Sequence, residues 1–192
     1  MLNLQRIITD TICVLGKINS CHNSSDGRFC SGSSGGVDIN SINEKWPDSV
    51  GLKIPGDWKT FDAVAPDWGG KFPKPQVRMC HKNAVCNLKI DSDMRVIAGV
   101  AFGKESLNPD KINIYPLPHV WNLDKQGRVV DTTYGHKWAL NTVYIGTDIT
   151  GNKGLISTQR RENKKRYPKT DPVLDYVFAQ LKDEFVRHKK GK

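Results

Sequence analysis

The chain has 192 residues, enough for one domain with a short appendage but not for two full domains. Hydrophobic residues make up 38% and charged residues 26%, with 17 Gly and 10 Pro, a composition that excludes fibrous, wholly disordered and membrane-spanning classes. The formal net charge is +9, yet residues 1–75 carry 8 basic and 8 acidic groups, residues 76–150 carry 9 and 7, and residues 151–192 carry 12 and 5. The basicity therefore belongs to the C-terminal stretch.

Residues 1–40 read as an N-terminal appendage. Leu4, Ile7, Ile8, Ile12 and Leu15 recur at helical spacing and predict an amphipathic helix over 3–16. The apolar run 7–18 is broken by Asp10 and no small-residue cleavage site follows, so no export signal is expected. The Gly-, Ser- and Asn-rich stretch 20–36 buries too little apolar surface to offset its ordering entropy and reads as a flexible tether. The five cysteines (Cys13, Cys21, Cys30, Cys80 and Cys86) are an odd count that fits reduced thiols in the cytoplasm, with a Cys21–Cys30 disulfide left open.

Residues 44–150 hold the core-forming material. Trp46, Trp58, Phe61, Trp68 and Phe72 lie in a Gly/Pro-rich approach with little periodicity. Val77, Cys80, Ala84 and Leu88 then recur about once per turn and predict a helix over 78–89. Strands are expected at 95–102, 117–123, 128–133 and 142–145. A helix followed by consecutive strands predicts an α+β fold in which that helix packs on an antiparallel sheet.

Residues 151–192 form a basic linker and a helix. The charge run 159–166 reads as a solvated linker, and 159–169 offers at most weak contact with nucleic-acid phosphates, having only Tyr167 as an aromatic. Asp171 and Pro172 make an N-cap and first-turn pair opening a helix to about His188. Val173, Tyr176, Val177, Leu181 and Phe185 line its docking face.

One constellation carries chemistry. Cys80 is expected three residues into its helix, where unpaired N–H groups and the helix dipole favour the nucleophilic thiolate, and Arg78, His81 and Lys82 add positive charge. Cys86, mid-helix, reads as a core cysteine. Asp124-Lys-Gln-Gly127 suits a hairpin loop with Gly127 left-handed, a register that pairs Asp124 with Arg128. His119 and Asp131 then share one face as diagonal neighbours, the imidazole–carboxylate arrangement that orients a general base for a cysteine nucleophile.

The segments Cys80-His-Lys-Asn-Ala84, Val96–Phe102, Pro116-Leu-Pro-His-Val-Trp-Asn122, Gly127-Arg-Val-Val-Asp-Thr-Thr133 and Val143-Tyr-Ile-Gly146 together resemble the transglutaminase-like branch of the papain-like cysteine hydrolases. The resemblance spans about residues 75–148. It implies a Cys-His-Asp triad of Cys80 as nucleophile, His119 as general base and Asp131 as orienting carboxylate, with Gln76 similar to an oxyanion-hole glutamine. Val120 and Thr132 stand where that branch has Ala and Pro. The stretch around Gly27-Arg-Phe29 is similar to tethers of tailed-phage head proteins, which implies a phage-encoded chain in a host cytoplasm or virion.

Zinc sets drawn from Cys80, His81, Cys86 and His119, or from Cys21, His22 and Cys30, lack a Cys-x-x-Cys pair, so no metal or cofactor is expected. Trp138, just past Asp131, stands where a ring could shield a thiol–imidazole pair, although loop packing is the default for it and for His136. The expected function is a cysteine hydrolase or acyltransferase acting on an amide or ester bond of a peptide, a protein or another amide-containing substrate. The alternatives are a non-catalytic phage structural or accessory protein, and a nucleic-acid binder working through the C-terminal segment.

Overall fold

A computed structural model describes residues 38–46, 48–76, 78–104, 117–161 and 171–191. The helix expected over 3–16, the tether with Cys21 and Cys30, and most of 159–169 lie outside the described residues.

Five strands form one antiparallel sheet: β1 (Lys59–Phe61), β2 (Arg95–Gly103), β3 (Leu117–Leu123), β4 (Val129–Val130) and β5 (Thr142–Asp148), in the order β1-β5-β2-β3-β4. After β1 at one edge, the chain reaches β4 at the other within three residues. Val64 bridges Val129, Val129 N donates to Ala63 O at 2.7 Å, and Ala65 N donates to Val129 O at 2.9 Å. The sheet is therefore curled nearly onto itself.

Helices α1 (Ile39–Lys45), α2 (Cys80–Asn87), α3 (His136–Leu140), α4 (Lys153–Arg161) and α5 (Pro172–Lys190) complete the fold. Alternation along the strands splits the apolar side chains between two cores. Val96, Ala98, Val100, Phe102, Val120, Val143 and Ile145 meet Ile42 from α1 and Trp46 just after it, Cys80 and Ala84 from α2, and Val173, Val177 and Leu181 from α5. Ile97, Ala101, Trp121, Leu123, Val129 and Tyr144 fill the other face with Ala139, and partly buried Phe61 and Trp138 pack against them. Because both faces are covered, β2 reads as a continuous apolar run.

The hairpin has the expected register. Asn122 pairs with Val130 and Leu123 with Val129, while Gly127 has φ 79° and its N–H closes the turn onto Asp124 O at 2.9 Å. The expected strand over 128–133 shortens to Val129–Val130, because Asp131 turns the chain. Its Oδ1 accepts from Thr133 N at 2.9 Å and its carbonyl from Gly135 N at 3.0 Å. The helix expected over 78–89 narrows to Cys80–Asn87, since Arg78 has φ 63°, which no right-handed helix admits. Cys80 is thus its first residue. Cys86, expected in the core, is half-buried. Part of the stretch read as a charged linker is helical, in α4.

Asp171 caps α5, accepting from Val173 N at 2.9 Å. The same carboxylate oxygen lies 3.1 Å from Nδ1 of His81, a fully buried histidine one residue after Cys80. The docking face of α5 is buried at Val173, Val177 and Leu181, and Leu181 O accepts from Lys53 N at 3.0 Å. Among the described residues, no helix is long and apolar enough to cross a membrane.

Candidate active site

His119 and Asp131, read from the sequence as two members of a triad, come together, Cys80 lies near enough to act on the His119 charge, and the backbone explains how the pair forms. His119 lies in β3 opposite Gly99 of β2, and Gly99 in turn lies opposite Gly146 of β5. A side-chain carbon on Gly99 would strike the Ile145 backbone oxygen, and one on Gly146 would meet Ala98 O at 2.5 Å and the Trp121 ring at 2.8 Å. Gly146 thus leaves the space that the ring of Trp121 occupies beside His119, and Gly99 lets the β5 backbone come close. On the far side of β3, β4 ends at Val130, so no strand flanks His119 there. The turn that replaces it carries Asp131.

His119 Nε2 donates to Asp131 Oδ2 at 2.8 Å, and each side chain is 1% exposed. Asp131 Oδ2 also accepts from the Tyr144 hydroxyl at 3.0 Å, while Oδ1 takes the N–H groups of Thr133 and Tyr134. Four donors therefore hold this buried carboxylate, as a charge removed from water requires. Burial alone would lower the His119 pKa. The negative charge of Asp131 and its hydrogen bond, followed by the hydrogen bond and charge of Cys80, outweigh burial and raise it to about 10. Since Nε2 is committed to Asp131, Nδ1 is the ring nitrogen left to face Cys80.

Helix α2 is locked to this arrangement by buried amides. Asn83 Nδ2 donates to Gln76 O at 2.9 Å and to Thr133 Oγ1 at 3.0 Å, while its Oδ1 accepts from Gln76 N at 3.0 Å. One turn on, Asn87 Nδ2 donates to Asn122 Oδ1 at 2.9 Å and Thr132 Oγ1 at 3.0 Å. Asn122 Nδ2 reaches Ala84 O at 3.1 Å. The helix bearing Cys80, the strand bearing His119 and the turn bearing Asp131 are thereby fixed to one another by directional bonds, not by apolar packing alone. The first turn of α2 has no side-chain cap, which leaves its N–H groups pointing past Cys80.

Rings enclose the imidazole. Trp121 stacks on His119 with centroids 6.2 Å apart, Tyr134 is tilted against it at 5.1 Å, and Trp138 meets it edge-on at 5.8 Å. Trp138, expected from the sequence as a possible shield, is therefore part of the site, and His136 instead turns its Nε2 to Ala65 O at 3.1 Å. Burial, then the charges of Cys80 and Asp131, push the Tyr134 hydroxyl up to about 12, against a lowering by Arg78. Burial and the Asp131 carboxylate raise that of Tyr144 further still.

Gln76 is exposed, and its side-chain oxygen accepts from Lys82 Nζ at 3.0 Å. That leaves its amide nitrogen as the end able to donate to an oxyanion. Among the described residues, no three His, Cys, Asp or Glu side chains gather as a metal-binding group. Sequence reasoning missed Asn83, Asn87, Asn122, Tyr144 and the two glycines. A signal existed for the first two, since positions 80, 83 and 87 share one helix face.

No protein-family model matches the chain, and no curated protein or solved structure matches it.

Proposed function

We propose that the protein is a cysteine-dependent hydrolase or acyltransferase with a papain-like, transglutaminase-like catalytic core, in which Cys80, His119 and Asp131 act as one unit. The observation that carries this reading is the buried His119–Asp131 pair, with Cys80 acting on the same imidazole. A buried carboxylate fixes one ring nitrogen at 2.8 Å, and Cys80 lies close enough to the same ring to raise its proton affinity. A structural histidine needs no carboxylate with three further donors behind it and no thiol beside it.

The chemistry follows from those positions. The Cys80 thiolate attacks the carbonyl carbon of an amide or ester, and the electron pair moves to the carbonyl oxygen. The backbone N–H of Cys80, with the side-chain amide of Gln76 as second donor, receives the developing oxyanion. The intermediate collapses as the His119 imidazolium gives its Nδ1 proton to the leaving amine or alcohol, which departs and leaves a thioester on Cys80. His119, now neutral, takes a proton from water or from an acceptor amine, whose attack releases the acyl group and restores the thiolate and imidazolium. Asp131 holds the ring in register throughout, and Tyr144 holds Asp131.

The test is an acyl-enzyme. Incubation with p-nitrophenyl acetate followed by peptide mapping is expected to place an acetyl group on Cys80, and Cys80→Ala is expected to lose it. Acetylation that is absent from Cys80 or indifferent to His119→Ala contradicts the proposal. Natural substrates would then be sought with Cys80→Ala as a trap.

A further inference from the structure

Arg78 is the only non-glycine residue with positive φ among the described residues, at 63°. It lies two residues before Cys80, in a turn closed by Met79 N on Gln76 O at 3.2 Å. Glycine or asparagine is the usual occupant of such a position, because a β-carbon crowds the following carbonyl there. Here a long cation occupies it and is exposed. The turn is held in this shape from outside, by the two hydrogen bonds of Asn83 to the backbone of Gln76. The nitrogen of that same amide also reaches Thr133, the neighbour of Tyr134, so Arg78 and Tyr134 are tied to one anchor. Tyr134 is 39% exposed and lies against His119, and Arg78 is near enough to ease its ionisation.

Apart from the Asp171 carboxylate on buried His81, the chain segments that carry Cys80 and Tyr134 bear charge of one sign. Between Trp68 and Ile90 the sequence has Lys71, Lys74, Arg78, Lys82 and Lys89 and no carboxylate, and residues 132–147 contain no carboxylate either. Lys71 is paired with Asp91, and Lys82 with the side chain of Gln76. Asp131, the acid of the site, is buried and bonded to His119. Among the described residues, no carboxylate forms an ion pair with Arg78.

We infer that Arg78 is a specificity-determining residue of this site, selecting acyl substrates that carry a carboxylate beside the bond Cys80 attacks, such as an acidic peptide. A guanidinium fork matches a carboxylate with two parallel hydrogen bonds, and its planar shape means that less freedom is lost per bond formed than with a lysine. The inference rests on Cys80 being the nucleophile.

Two alkylating reagents of nearly the same size test it, because iodoacetate carries the carboxylate and iodoacetamide does not. In each case the thiolate sulfur displaces iodide, and Cys86 on the same helix serves as the reference. Wild-type Cys80 is expected to prefer iodoacetate over iodoacetamide more than Cys86 does. Arg78→Gly, whose backbone is at home at this φ, is expected to slow iodoacetate about tenfold more than iodoacetamide, and Arg78→Lys is expected to keep part of the preference. An unchanged preference in Arg78→Gly, or equal slowing with both reagents, overturns the inference while leaving the nucleophile intact. A Cys80 that reacts no faster than Cys86 with iodoacetamide and ignores His119→Ala removes the nucleophile, and the inference with it.

Discussion

His119 Nε2 and Asp131 Oδ2 lie 2.8 Å apart with each side chain 1% exposed, on a strand and in a turn that no longer pair where the two meet. The carboxylate stabilises the imidazolium in a place where burial would otherwise neutralise it. This fixes a pH dependence. The His119 pKa rises on folding from 6.5 to about 10, so its contribution to stability is full below about 6.5 and is lost as pH climbs through about 10. Denaturant midpoints of the wild type are expected to fall across that window more steeply than those of His119→Gln. Parallel curves would show that the ring gains no proton affinity on folding.

Removing the carboxylate leaves a buried ring without its charge partner. Asp131→Ala is expected to destabilise the fold by about 3–5 kcal/mol, the cost of breaking a buried pair from one side. Asp131→Asn, which keeps the shape and an acceptor oxygen, should cost less while still slowing alkylation of Cys80. Urea unfolding of the two variants measures the difference.

The amide bridge from α2 offers a separate test. Asn87→Ala strips hydrogen bonds from buried Asn122 and from Thr132, and each stranded polar group costs about 1–3 kcal/mol. Stability should therefore fall by that order. The reactivity of Cys80 should fall with it, because α2 loses the registration of its last turn on Thr132.

Gly146→Ala is expected to cost about 1–3 kcal/mol as an overpacking change, since the added carbon meets Ala98 O and the Trp121 ring. A lowered Tm together with altered near-ultraviolet dichroism of the tryptophans is the expected signature, because relief requires Trp121 to move off His119. A Tm equal to that of the wild type would show that Gly146 does not shape the ring cluster.

Local chemistry made part of this molecule legible. Asp171 and Pro172 announce a helix start, and Asp124 with Gly127 sets a turn whose geometry dictates which residues share a face. That turn sets the hairpin register up to Val130, which brings Asp131 to the His119 side, although the contact itself is made from the turn after β4. Other features depend on neighbours distant in sequence. β1 has three residues and α1 seven, too short for a periodic signal, and packing against the sheet holds them. Asn83 and Asn87 look like a solvated helix face until β3 and the Asp131 turn are laid against them. Gly99 and Gly146 lie 47 positions apart and meet only in the register of β2 with β5. The early end of β4 escaped because the carboxylate read as a strand residue is itself the group that turns the chain.

The central claim is that His119, oriented by Asp131, activates Cys80. The most direct measurement is the rate at which iodoacetamide alkylates Cys80 relative to Cys86 at about pH 6, where an ordinary thiol is almost wholly protonated. Exposure alone favours Cys86, since it is half-buried and the Cys80 residue is 7% exposed. Faster reaction at Cys80, lost in His119→Ala, is the predicted result. Equal or slower reaction at Cys80, unchanged in His119→Ala, would contradict the claim.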